Sequence, residues 1–154
     1  MLKKTLTIIT FLLLSSCGYE AIHSKKNAIN YDFFITELNF IGDREVNSKI
    51  KKKLNYYTLS EKDKNFILDI SSSVEKIALA KNISGETTSF KIKVSVSAKV
   101  LINNIIKNKF LIIENFNYSN NTNKFDLKKY EDEIKINLAE AISDKLIFKL
   151  SNIQ

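Results

Sequence analysis

Hydrophobic and polar residues alternate along two long stretches of this 154-residue chain. Between residues 90 and 102, every second position is hydrophobic: Phe90, Ile92, Val94, Val96, Ala98, Val100 and Ile102. Lysines and serines occupy most of the positions between them. A period of two is typical of a strand with one buried face. Residues 66 to 80 alternate in the same way, and a change of phase at Ile77 predicts a β-bulge.

Two shorter strands are predicted on either side of this pair. The first covers residues 32 to 41 and ends before Gly42. The second covers residues 109 to 119 and follows a predicted turn around Lys107-Asn108. One face of this last strand carries Phe110, Ile112, Phe116 and Tyr118, and the other carries Leu111, Ile113, Asn115 and Asn117.

Hydrophobic residues recur every three or four positions in two other segments, as in amphipathic helices. The first is residues 43 to 57, where Asp43 is a suitable N-cap. The second follows Asp126, another candidate N-cap, and has a stripe made of Leu127, Tyr130, Ile134, Leu138, Ala141, Ile142, Leu146 and Leu150. We interpret Glu131, Asp132 and Glu133 as acidic residues that complement the dipole at the start of this helix.

These elements predict an α+β fold with the order β-α-β-β-β-α. A strand-helix-strand connection favours parallel strands, whereas the last three strands can follow one another antiparallel. The fold class is therefore two amphipathic helices packed on one face of a four-stranded mixed sheet. The other face of the sheet is expected to be open, polar and rich in lysine.

The first part of the chain has the pattern of a lipoprotein signal. Lys3 and Lys4 precede a hydrophobic run that is shorter than the ~20 residues of a membrane anchor, so residues 1 to 16 are expected to be a removed signal peptide. Leu14-Ser15-Ser16-Cys17 matches the bacterial lipobox, in which the cysteine receives acyl chains such as palmitate. Cys17 is the only cysteine and has no disulfide partner in the chain. The alternative is an ordinary secretory signal followed by a free thiol.

The remaining chain is predicted to divide into a lipidated tether, residues 17 to 31, and a single folded domain, residues 32 to 154. The tether has no sustained hydrophobic period. Several acyl chains on Cys17 would hold the protein on a membrane, because each buried methylene contributes about 0.8 kcal/mol.

Composition argues against catalysis and against bound cofactors. The chain has one histidine, His23, in the predicted tether, and three glycines. It has no Cys and His spacing for zinc, no phosphate-binding glycine loop and no G-x-S-x-G motif. We therefore predict no enzymatic activity, no metal and no cofactor. The net charge of +7 accompanies a general abundance of Lys, Asn and Ile and is not evidence for a nucleic-acid partner.

Three lysines are the candidate ligand-binding residues. Lys91, Lys93 and Lys99 alternate with the hydrophobic residues of one strand and so project from one side of it. A row of cations could pair with phosphates on a lipid headgroup or on lipopolysaccharide. The alternative is an ordinary solvated face.

Taken together, the chain resembles the LptE family of lipopolysaccharide-assembly lipoproteins, in its alphaproteobacterial form. The resemblance rests on Cys17-Gly18-Tyr19, on Gly85 before the alternating strand 90 to 102, and on the sequence NLAEAISDKL at residues 137 to 146. Family members often have a proline soon after Cys-Gly-Tyr, where this chain has Glu20-Ala21-Ile22.

The resemblance implies a lipid-anchored outer-membrane protein that faces the periplasm and the lumen of a β-barrel. Such a protein binds and plugs the LptD barrel, assists its assembly and helps to insert lipopolysaccharide into the outer membrane. Lys91, Lys93 and Lys99 would then contact the phosphates of lipid A. Two alternatives stay open on sequence alone: an accessory subunit of a periplasmic lipid-transport (ABC-type) system, and a structural lipoprotein of the envelope.

Overall fold

A computed structural model describes residues 32 to 153 of the chain. The predicted signal peptide (residues 1 to 16), the tether (residues 17 to 31) and the lipidation site Cys17 lie outside the described residues and stay predictions.

The described chain has the predicted α+β order. Its elements are β1 (Phe34–Gly42), α1 (Arg44–Leu54) with a 3-10 turn (Asn55–Thr58), β2 (Asn65–Lys81), β3 (Thr87–Ile102), β4 (Ile105–Ser119) and α2 (Lys124–Ser151). The strands form one sheet in the order β1-β2-β3-β4. The β1–β2 pair is parallel and the other two pairs are antiparallel, as predicted.

The core lies between the sheet and the two helices. The hydrophobic phase of β3, from Ile92 to Val100, is buried on this side. It is joined there by Phe66, Leu68 and Ile70 of β2. Both helices contribute buried side chains, which include Val46, Ile50, Leu54, Leu127, Ile134, Ile142, Leu146 and Leu150. The helix stripes predicted from the sequence therefore face the core, except that Tyr130 of the second stripe is 44% exposed.

The predicted turn at Lys107-Asn108 is wrong. β3 and β4 are joined at Asn103 and Asn104, whose φ angles are +50° and +61°. Two consecutive residues with positive φ suit the twist of a tight hairpin, and asparagine tolerates this conformation better than most residues. Lys107 lies instead at an irregularity of the β3–β4 pairing. The polar pair that suggested a turn marks this irregularity within a longer strand.

The predicted start of the second helix is also wrong. α2 begins at Lys124, and the side chain of Asn123, not of Asp126, accepts hydrogen bonds from the backbone N–H groups of Phe125 and Asp126. Glu131 therefore lies about two turns inside the helix. Because dipole effects fade beyond the first turn, the dipole interpretation of residues 131 to 133 does not hold.

Two smaller differences concern the bulge and the buried stripe. The irregularity in β2 lies between Ala78 and Lys81, just beyond the predicted position at Ile77. α2 also buries Ala139, Ser143 and Ile147, which the predicted stripe omits. These residues are buried because α2 contacts α1 as well as the sheet.

Candidate functional site

The side of the sheet that faces away from both helices is the candidate site, and we call it the open face. Residues paired across neighbouring strands point to the same side of a sheet. The register therefore assigns the following residues to the open face: Glu37, Asn39 and Ile41 of β1; Ile67, Asp69, Ser71, Ser73, Glu75 and Ile77 of β2; Lys91, Lys93, Ser95, Ser97, Lys99 and Leu101 of β3; Ile106, Lys109, Leu111, Ile113, Asn115 and Asn117 of β4.

All three predicted lysines lie on the open face, but they do not form one continuous row. Lys91 and Lys93 are neighbours near the end of the sheet that carries the β2–β3 loop. Lys99 is eight residues from Lys91, which corresponds to about 27 Å along a strand. The structure brings the first two together and separates the third.

Each lysine has different neighbours. Lys93 forms an ion pair with Glu75, with 3.2 Å between Nζ and Oε2. Lys91 lies opposite Ile77 on β2 and Asn117 on β4. A phosphate at this end would therefore meet Lys91 directly and would compete with Glu75 for Lys93.

Lys99 belongs to a second group of charges at the other end of the open face. It lies opposite Asp69 on β2 and Lys109 on β4. The Asp69 carboxylate accepts a hydrogen bond of 3.1 Å from the side chain of Asn39. This end therefore combines two cations with one carboxylate.

Small hydroxyl side chains occupy the middle of the open face. Ser71 lies opposite Ser97, and Ser73 lies opposite Ser95. The same rows continue on β4 with Leu111 and Ile113, whose exposed fractions are 65% and 44%. At the opposite edge of the same face, Ile41 of β1 is 74% exposed. The middle of the face is thus a polar surface of short side chains, with exposed aliphatic side chains at its margins.

A half-buried polar cluster on the helix side was not predicted from the sequence. The Tyr118 hydroxyl donates a hydrogen bond of 2.7 Å to Glu131, and the Lys76 ammonium lies 2.6 Å from the same carboxylate oxygen. Lys76 also lies 4.2 Å from the ring centroid of Phe90. The cluster connects β2, β4 and α2. One signal for it was available: Lys76 is a charged residue in the hydrophobic phase of β2.

The contacts within the cluster shift the pKa values of Glu131 and Tyr118. Burial alone would raise the pKa of Glu131, but hydrogen bonds from Lys76 and Tyr118 outweigh it and lower the pKa. Burial and the neighbouring Glu131 carboxylate raise the pKa of the Tyr118 hydroxyl. Both shifts favour the ionised carboxylate and the neutral phenol, an arrangement that joins the helix to the sheet.

Within residues 32 to 153, no group of acidic, histidine or cysteine side chains is arranged to hold a metal ion. The helices of this same part of the chain are not apolar over a length that would span a membrane.

Comparisons with protein-family models and with curated proteins find no match. Among solved structures, the chain is similar to rare lipoprotein B from Shewanella oneidensis, with a TM-score of 0.55 and 14% identity over 75% of this chain and 97% of that chain. It is also similar to a minor lipoprotein from Acinetobacter baumannii, with a TM-score of 0.60 and 12% identity over 79% and 91% of the two chains.

A third similar structure is lipoprotein B from Nitrosomonas europaea, with a TM-score of 0.54 and 12% identity over 79% of this chain and 86% of that chain. Identities this low establish the fold alone. The four-stranded sheet with two helices is therefore an architecture that this chain shares with several bacterial lipoproteins, and none of the three is described as an enzyme.

Proposed function

We propose that this chain is a non-catalytic lipoprotein of the outer membrane that binds and plugs an LptD-type β-barrel. In this role it assists the assembly of the barrel and the insertion of lipopolysaccharide into the outer membrane. The observation that carries the proposal is the open face, a side of the sheet that residues 32 to 153 leave uncovered, with serines in its middle, aliphatic margins and lysines near both ends. Such a face suits binding to a partner surface, because its side chains are spread across one side of the sheet and do not converge on an enclosed site.

Two likenesses support this assignment. The sequence resembles the LptE family at the lipobox, the alternating strand and the closing helix. The fold resembles rare lipoprotein B, which is an LptE homologue. The first likeness rests on short motifs, and the second rests on backbone geometry at 14% identity.

The physical character of the face fits the interior of a large barrel. The lumen of such a barrel is polar and hydrated, so a subunit inside it needs polar side chains on its surface. The serines and asparagines of the open face meet this need. Lys91 and Lys99 would then meet phosphates of lipopolysaccharide at two separate places.

The partner is tested by affinity purification of the tagged full chain from detergent-solubilised native membranes, with mass spectrometry of the recovered proteins. The expected result is one large outer-membrane β-barrel in equal amount. Recovery of inner-membrane transporter subunits would overturn the proposal in favour of the ABC-type alternative. Recovery of no partner would leave a structural lipoprotein and would also overturn it.

The lipid anchor is tested separately by labelling cells with radioactive palmitate. The unchanged chain is expected to incorporate the label, and Cys17→Ser is expected to lose it together with membrane retention. Ser16→Ala is the matched control, because a small residue before the cysteine still satisfies the lipobox. Equal labelling of Cys17→Ser and the unchanged chain would contradict lipidation at this cysteine.

A further inference from the structure

β4 is an edge strand with a long unprotected stretch. It pairs with β3 on one side, and no other backbone hydrogen bond joins it to the described part of the chain between Ile105 and Ser119. Exposed edges attract other strands, and proteins usually protect them with lysines or bulges. In β4 both devices are confined to one end, at Lys107 and Lys109. The stretch from Phe110 to Phe116 has neither, and its one charged residue, Glu114, is paired with Lys145 within the chain.

We propose that this edge binds a second copy of the same chain. The two β4 strands would pair antiparallel from Asn108 to Phe116 about a two-fold axis at Ile112, which is the midpoint of the strand. The inference goes beyond the proposed function and does not depend on it. Three features of β4, one on the open face and two on the helix side, agree on this register.

The first feature is an aliphatic match on the open face. In this register Leu111 of one copy lies opposite Ile113 of the other, and the two-fold axis repeats the pair. Leu111 and Ile113 are 65% and 44% exposed in the single chain. Facing aliphatic pairs are favourable across antiparallel strands, and here they would remove four exposed side chains from water.

The second feature is a charge match on the helix side. Glu114 of one copy lies opposite Phe110 of the other, and the Lys149 ammonium is 5.3 Å from the centroid of that ring. Glu114 forms an ion pair with Lys145 of its own chain, and in the dimer its carboxylate would also approach Lys149 of the second copy. No two like charges lie opposite each other in this register, because Lys109 faces Asn115.

The third feature is a groove that fits an exposed aromatic ring. Phe116 is 46% exposed and would lie opposite Asn108 of the second copy. Asn108 borders a groove that Phe110, Phe148 and Lys149 also line. Phe148 is 62% exposed, so the incoming Phe116 ring would cover an otherwise wet aromatic side chain.

The first experiment measures the mass of the purified full chain in detergent by sedimentation equilibrium across a range of micromolar concentrations. We expect a monomer–dimer equilibrium. Ile113→Lys is expected to raise the dissociation constant of the dimer at least about tenfold, because it places a charged side chain opposite Leu111 of the second copy. Ile77→Lys is the matched control, since Ile77 is 39% exposed on the same face but lies on β2. A monomer throughout, or equal effects of the two variants, would overturn the proposal.

A second experiment tests the register with a charge exchange. Glu114→Lys and Lys149→Glu should each weaken self-association, because each homodimer then carries two repelling contacts. Mixing the two variants should restore association, since both contacts of the mixed dimer are again between opposite charges. Glu75→Lys is the control for the loss of one exposed ion pair on the sheet. Circular dichroism verifies that each variant is folded, and absence of association in the mixture would overturn the register.

Discussion

At the scale of single residues, Gly42 shows how closely β1 approaches β2. Its φ angle is +104°, and a Cβ atom added there would lie 1.9 Å from the carbonyl oxygen of Ser72. The hydroxyl of Ser72 donates a hydrogen bond of 2.7 Å to the side-chain oxygen of Asn47. The start of α1 is therefore held against the sheet by a contact that leaves no room for a side chain.

Gly42→Ala is expected to lower the free energy of unfolding by about 3 kcal/mol, because the methyl group forces the two strands apart and the φ angle suits only glycine. Gly85→Ala is the control, since its φ angle is +81° but its Cβ would meet open space. That variant should cost about 1 kcal/mol. Urea denaturation measures both, and equal losses would contradict the close contact at Gly42.

The contribution of Glu131 to the free energy of unfolding is expected to depend on pH. Its pKa in the folded chain lies below the ordinary 4.5, so its contribution is present above that value and is lost as the pH falls below it. Glu131→Gln should cost about 1 to 2 kcal/mol at neutral pH, since it removes the charge that pairs with Lys76. The difference from the unchanged chain should shrink below pH 4.5.

The exposed Glu133 on the same helix supplies the control for this prediction, as Glu133→Gln should change the unfolding free energy little. Thermal unfolding at a series of pH values measures all three proteins. If the loss in Glu131→Gln stayed constant down to acid pH, the ionised carboxylate would not be the source of the stability.

At the scale of elements, the start of α2 is set by its N-cap, Asn123. The side chain of Asn123 satisfies two backbone N–H groups that an uncapped helix leaves unbonded. Asp126 lies inside the first turn, where its side chain favours the helix dipole. The sequence pattern predicted Asp126 as the cap and missed Asn123, because aspartate and asparagine are equally good at that position.

Asn123→Ala is expected to cost about 1 kcal/mol of unfolding free energy, the usual loss for an N-cap. Asp126→Ala should cost about half as much or less, since it removes a dipole interaction only. Chemical denaturation of the two variants under the same conditions distinguishes them. A larger loss in Asp126→Ala would indicate that the helix begins at the later cap.

The strands follow the same logic, since pattern determines the type of an element better than its end. Phe110, Ile112 and Tyr118 kept the face that their alternation predicted. The turn before them was misplaced because Asn103-Asn104 is a weaker hairpin signal than Asn-Gly, whereas Lys107-Asn108 interrupts the hydrophobic pattern more visibly.

At the scale of the whole molecule, the two helices cover one face of the sheet and leave the other open. Ion pairs add to the hydrophobic contact between the helices, among them Lys49 with Glu140 at 3.1 Å and Lys135 with Glu45. Pairs at this degree of exposure contribute little to stability. The layer is therefore held mainly by its buried aliphatic side chains, and the open face is free to carry function.

The open-face lysines give a binding prediction at this scale. Replacing Lys91, Lys93 and Lys99 together by glutamine should weaken binding of purified lipopolysaccharide about 30-fold. Lys93 already pairs with Glu75, so Lys91 and Lys99 should supply most of the loss, at about 1 kcal/mol each. Fluorescently labelled lipopolysaccharide and the purified full chain provide the assay.

The matched control for this prediction replaces three exposed lysines of the helices, namely Lys51, Lys52 and Lys129, by glutamine. It removes the same charge from the other side of the molecule and should leave binding nearly unchanged. Equal weakening in both triple variants would show that binding depends only on net charge. Unchanged binding in both would show that Lys91, Lys93 and Lys99 do not bind lipopolysaccharide.

The sequence by itself determined the fold class, because alternation and helical periodicity depend only on which side chains must leave water. It also placed Lys91, Lys93 and Lys99 on one face, since strand geometry dictates that face directly. Which groups meet was decided by the tertiary structure alone. The pairing of Lys93 with Glu75, the approach of Tyr118 to Glu131 and the exposed edge of β4 all depend on register and strand order, which bring together residues that are distant in the chain.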